Sequence, residues 1–115
     1  MIKLNLKDNF AAQDMIRIIM KEKGLSAKEA IAFSISLETH KKILKAEYVS
    51  IALELWGHDD LDRKWYVLED PTIELDLGKL DESLVKDISD KQNVDIETAI
   101  CYFLILTMES LGYHI

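Results

Sequence analysis

Cysteine is almost missing from this chain. Cys101 is the only one in 115 residues, so no internal disulfide forms, and it sits in the apolar run Ala99-Ile100-Cys101-Tyr102-Phe103-Leu104-Ile105-Leu106. That setting predicts a buried thiol, not a nucleophile. Glycine is also scarce: four scattered residues exclude a glycine-rich phosphate loop. The three histidines, His40, His58 and His114, fall in no Ser-His-Asp or Cys-His pattern. Long hydrophobic runs are lacking too. The segment from Ala99 to Met108 is about half of what a bilayer-spanning helix needs. At the amino terminus, Met1-Ile2-Lys3-Leu4-Asn5-Leu6-Lys7 alternates apolar with polar and has no continuous apolar stretch of the kind that directs secretion. The expectation is a cytoplasmic, non-membrane, non-catalytic protein that needs no cofactor.

What is present is core-forming material and negative charge. Hydrophobic residues make up 49% of the chain, enough for one domain over residues 1–115 to bury a core without staples. The net charge of −7 is unevenly spread. Residues 1–37 carry six Lys/Arg and four Asp/Glu, residues 38–72 five and eight, and residues 73–115 three and nine. The last segment alone stands at −6. Such a segment repels phosphate backbones, so nucleic acid could approach only through the first third.

Periodicity divides the chain into short elements. Leu4 and Leu6 alternate with Lys3, Asn5 and Lys7, as in a half-buried strand. Asp8 or Asn9 caps a helix with Met15, Ile16, Ile19 and Met20 on one stripe and Gly24 as its stop. Ser26 with Glu29 forms a capping box for a second helix carrying Ala30, Ile31, Phe33, Ile35 and Leu37. A central helix, single or bent, spans Ile43 to Trp56 and ends at Gly57, and a loop follows over residues 58–62. Trp65 to Leu68 has strand composition, Asp70-Pro71 marks a turn, and Ile73 to Leu77 alternates as a strand. Helices are predicted from about Asp81 to Lys91 and from about Asp95 to Leu111. The predicted fold class is α+β, mostly helical: two strand-helix-helix units, a small antiparallel sheet and a central helix.

Shifting the sequence by 69 residues lays residues 3–37 on residues 72–106 without a gap. Leu4 and Leu6 fall on Ile73 and Leu75, Ile16 and Ile19 on Val85 and Ile88, Gly24 on Asn93, Ser26 on Asp95, and Ala30-Ile31 on Ala99-Ile100. Glycine against asparagine at a helix end, and serine against aspartate at the next cap, are exchanges that conserve backbone chemistry. Each unit resembles the ribbon-helix-helix module of Arc- and CopG-type repressors. The resemblance implies that two units in one chain imitate that family's dimer, with the strands paired as an antiparallel ribbon. It also implies a DNA-reading set on the ribbon: Lys3, Asn5 and Lys7 on one strand, and Thr72, Glu74 and Asp76 on the other. The second strand departs from that use, because Glu74 and Asp76 put carboxylates where the family meets a groove. Lysines facing acids across the strands make the ribbon self-complementary.

One cluster contains metal-capable side chains: His58, Asp59, Asp60 and Asp62. It lacks further ligands nearby and reads as a solvated loop, so no metal site is expected. Trp56, Trp65, Tyr66 and Tyr48 bracket that loop, either as core packing or as an aromatic anchor, and Lys41, Lys42 and Lys45 form a short basic face. The leading expectation is a protein-binding protein, such as an immunity protein, antitoxin or inhibitor, that neutralises a basic partner such as a nuclease toxin. Its docking face comprises Asp59, Asp60, Asp62, Glu69, Asp70, Glu74 and Asp76, with Trp56 or Trp65 as anchor. The alternative is a DNA-binding regulator acting through Lys3, Asn5 and Lys7.

Overall fold

The structure, a computed structural model, describes residues 2–36, 51 and 68–112. Over these residues the chain is mostly helical, with four helices and one two-stranded antiparallel sheet. The order is β1 (Ile2–Asn5), α1 (Phe10–Lys23), α2 (Ala27–Ser36), β2 (Thr72–Leu75), α3 (Lys79–Gln92) and α4 (Ile96–Ser110). The expected central helix over 43–56, the loop over 58–62 and the strand over 65–67 lie outside the described residues, apart from Ile51. Leu68 is buried but irregular.

Local chemistry sets each helix boundary. Asn9 Oδ1 accepts from Ala12 N–H at 3.1 Å and so starts α1. Gly24 ends it in the left-handed region, φ 66 and ψ 42, where a glycine carries no Cβ penalty. The capping box before α2 is reciprocal: Glu29 N–H donates to Ser26 Oγ at 3.2 Å, and Ser26 N–H donates to Glu29 Oε1 at 3.1 Å. Asn93 repeats the left-handed stop after α3, φ 53 and ψ 50, and Asp95 caps α4 by accepting from Thr98 N–H at 2.8 Å.

Helix α4 is buried without a break from Ala99 to Met108, which makes it the centre of the core. The other three helices pack against it. The ribbon closes one side through Leu4, Leu6, Ile73 and Leu75, each at most 4% exposed. Met15, Ile16 and Ile19 of α1, Ile31 and Ile35 of α2, and Val85 and Ile88 of α3 complete the cluster. Two hydroxyls inside it, Ser34 and Thr107, return hydrogen bonds to the carbonyls four residues back, Ala30 at 2.9 Å and Phe103 at 2.8 Å.

Both strands differ from the sequence reading at their carboxyl ends. β1 runs Ile2–Asn5, short of Lys7, because Lys7 N–H turns to Asn5 Oδ1 at 3.2 Å after Leu6 N–H makes the last ladder bond to Pro71 O. β2 stops at Leu75, so Asp76 and Leu77 are outside the ladder, and α3 starts two residues earlier than the expected Asp81.

Candidate functional site

The register pairs Ile2 with Leu75, Lys3 with Glu74, Leu4 with Ile73, and Asn5 with Thr72. Because side chains alternate across a strand, the apolar members turn inward while Lys3, Asn5, Thr72 and Glu74 form the outer face. Lys7 and Asp76 are exposed just past the strand ends, and Glu69 and Asp70 are exposed just before β2. One end of the structure therefore gathers the ribbon residues from both halves of the chain.

Charge on this face is mixed. Lys3 Nζ lies 3.8 Å from Glu74 Oε1, with both side chains more than half exposed, so the contact balances charge and adds little stability. Asp70 is turned to a backbone task, its Oδ1 accepting from Thr72 N–H at 3.0 Å. Of the expected docking face, Glu69, Asp70, Glu74 and Asp76 lie on or beside the ribbon. Trp56, Asp59, Asp60, Asp62 and Trp65 lie outside the described residues, as do Lys41, Lys42, Lys45 and all three histidines.

The first turns of α4 and α2 are acidic. Glu97 stands in the first turn of α4 beside the cap Asp95, whose hydrogen bonds from Thr98 hold its carboxyl below the ordinary aspartate value. Glu29 is lowered likewise by the bonds it shares with Ser26. Ionised carboxylates already occupy the positive end of α4, a position that otherwise suits phosphate.

Two features had no strong local signal. Gln13 is buried in α1 and joins three segments: its Nε2 donates to the Leu6 carbonyl at 2.6 Å, and its Oε1 accepts from Leu68 N–H at 2.9 Å. This clamp fixes the end of β1 and the approach to β2. The second feature is a groove of about 550 Å³ along β1, whose opposite wall includes Glu82, Asp95 and Glu97.

Chemically reactive groups are few here. Burial pushes the Cys101 thiol up to about 12, with Asn9 Nδ2 donating to its sulfur at 3.6 Å, so it carries no thiolate near neutral pH. Among the described residues, no group of three or more His, Cys, Asp or Glu side chains is placed to hold a metal ion. Among the same residues, no helix is long and apolar enough to cross a membrane. Comparison with protein-family models, curated proteins and solved structures finds no match. The ribbon and its flanking groove are the candidate functional site on geometry alone.

Proposed function

We propose that the chain joins two ribbon-helix-helix-like units in one body and uses it to bind a basic protein partner, in the manner of an immunity protein, antitoxin or inhibitor of a nuclease toxin. The two-unit reading is supported by agreement at the offset of 69. α1 spans Phe10–Lys23 and α3 spans Lys79–Gln92, so both ends are displaced by 69. Gly24 and Asn93 share the left-handed stop, and Ser26 and Asp95 each cap the next helix. Leu4, which stands 69 residues before Ile73, lies directly opposite it in the ribbon, as a two-fold axis through that pair requires.

The observation that carries the partner reading is Glu74 opposite Lys3, at 3.8 Å, with Asp70 exposed just before the same strand and Asp76 exposed just after it. A groove-reading face draws its affinity from cations meeting phosphates. Here Glu74 of β2 offsets Lys3 of β1, and residues 73–115 carry a charge of −6. A basic protein meets the same field as attraction, which speeds encounter.

DNA binding through Lys3, Asn5 and Lys7 is the second reading, favoured because all three are exposed at one end of the ribbon. Two measurements separate the readings. Mobility shift against duplex fragments from the native host is expected to give only weak, sequence-indifferent binding at physiological salt. A tight selective complex abolished by Lys3→Ala and Asn5→Ala reverses the assignment. In the second, the partner co-purifying from the host is identified and its association rate measured. Glu69, Asp70, Glu74 and Asp76 changed together to lysine are expected to slow association at least tenfold and flatten its salt dependence. Unchanged kinetics in a folded variant rules this acidic surface out as the contact.

A further inference from the structure

The phase of the ladder shows which backbone groups of β1 face away from β2. Leu6 N–H bonds to the Pro71 carbonyl at 2.9 Å, and antiparallel pairs alternate between bonded and non-bonded. Leu4 and Ile2 therefore aim their peptide groups at β2, while Lys3 and Asn5 aim theirs at the outer edge. No third strand occupies that edge among the described residues. The β2 edge is less open: its Thr72 N–H is taken by Asp70 Oδ1, and α2 packs against the strand. An edge with unpaired amides is a template for another strand.

The groove lies along this outer edge. Lys3 and Asn5 line one side, and Asp95, Ile96 and Glu97 at the start of α4 line the other. Both lysines at the groove are already matched, Lys3 with Glu74 at 3.8 Å and Lys86 with Glu82 at 3.2 Å. Asp95 and Glu97 have no cationic partner among the described residues. Asp95 is held towards its ionised form because Thr98 hydrogen-bonds it, and Glu97 accepts from Asn9 Nδ2 at 3.2 Å. Among the described residues, the groove thus combines main-chain donors and acceptors that face away from β2 with two carboxylates that have no cationic partner.

We propose that the β1 edge takes an added β-strand, an extended segment of the basic partner whose lysine or arginine side chains reach Asp95 and Glu97. This rests on the basic-partner reading and supplies its docking mode. Main-chain bonds to Lys3 and Asn5 give the register, and the carboxylates select a basic sequence.

The test titrates the full ¹⁵N-labelled chain with a capped peptide of alternating lysine and valine, about six residues long, and with its glutamate–valine counterpart. The lysine peptide is expected to shift the amide signals of Lys3, Asn5 and residues 95–97 and to slow hydrogen exchange at Lys3 and Asn5 at least tenfold. The glutamate peptide should bind at least tenfold more weakly. Lys3→Pro deletes an edge N–H without touching the Leu4 and Ile2 bonds, and should weaken the lysine peptide tenfold or more. Should that variant fail to fold, N-methylation of alternate peptide amides removes the same bonds from the ligand side. Asp95→Asn with Glu97→Gln retains a capping oxygen and should weaken binding severalfold and remove its salt dependence. Equal binding by the N-methylated peptide, or shifts confined to Glu69, Asp70, Glu74 and Asp76, overturns the strand-addition mode while leaving a basic partner in place. No shift at millimolar lysine peptide overturns both.

Discussion

Tyr102 should be better as phenylalanine. Its side chain is 1% exposed in the middle of α4, and its hydroxyl has no hydrogen-bond partner among the described residues. A buried hydroxyl left unmet costs about 1–3 kcal/mol, whereas deleting one oxygen leaves a gap smaller than a methyl group, at a cost of about 1 kcal/mol or less. Phe33, which stands 69 residues earlier, already has the bare ring. Tyr102→Phe is therefore expected to stabilise the fold by about 1 kcal/mol, raising the urea midpoint at unchanged m and the Tm by about 4 °C. A second arm uses pH. Burial raises the Tyr102 pKa, so above about pH 10 the unfolded chain loses a proton that the folded chain keeps. Tyr102's contribution is full below that pH and is lost as pH rises through the folded value, because the native state binds more protons. The phenylalanine variant lacks this loss, so its advantage should widen from about pH 9 to about pH 11. A variant destabilised by about 1 kcal/mol or more at pH 7 refutes the reasoning, since it requires that the hydroxyl be satisfied.

Three further outcomes are expected. Gln13→Leu orphans the Leu68 amide and leaves the Leu6 carbonyl with the Asn9 N–H at 3.0 Å, and should cost about 1–3 kcal/mol in urea unfolding; a loss below about 0.5 kcal/mol contradicts the clamp. Asp95→Ala should cost about 1 kcal/mol through the lost cap, and Asp95→Asn only a few tenths; equal losses point to charge instead of capping. Burial takes the Cys101 thiol from 9.0 to about 12, so its contribution is complete below about pH 9 and lost as pH rises towards 12, about 4 kcal/mol in all. The slope of stability against pH in that window should fall in Cys101→Ala, and a thiol reagent at pH 8 should label Cys101 only after urea is added.

The helices were legible, except for the start of α3, because neighbouring residues sign their ends. Asn9, Gly24, Ser26 with Glu29, Asn93 and Asp95 all act within a few positions, and the stripe of Met15, Ile16 and Ile19 needs nothing beyond its period. The strand ends were less legible because side chains compete with the ladder. Asn5 Oδ1 draws Lys7 out of β1, which no apolar-polar alternation reveals. Gln13 was illegible for a different reason: its partners are seven and 55 residues away, and on α1 it reads as one more polar side chain. Asp95 was readable as a cap but not as a wall of a groove, because only the packing of α4 brings it beside β1. Of the acids read as a docking face, the strand register places Glu74 on the ribbon, and Glu69, Asp70 and Asp76 lie beside it because they directly precede or follow β2.

Covalent linkage explains why such a ribbon can carry opposite charges on its two strands. In a symmetric dimer each outward residue appears twice, so a lysine on one strand brings a lysine on the other and the face accumulates one sign. On the two-unit reading, positions 3, 5 and 7 correspond to 72, 74 and 76, and Lys3, Asn5 and Lys7 correspond to Thr72, Glu74 and Asp76. No cation is repeated. The antiparallel register then sets Glu74 against Lys3, its neighbour across the strands and not its counterpart in the repeat. On that reading the two strands are free to differ, and Glu74 opposite Lys3 is a difference that neutralises charge. Such a ribbon offers a phosphate backbone little net positive field, and among the described residues the carboxylates without a cationic partner stand at its flank, Asp95 and Glu97, beside the outer edge of β1.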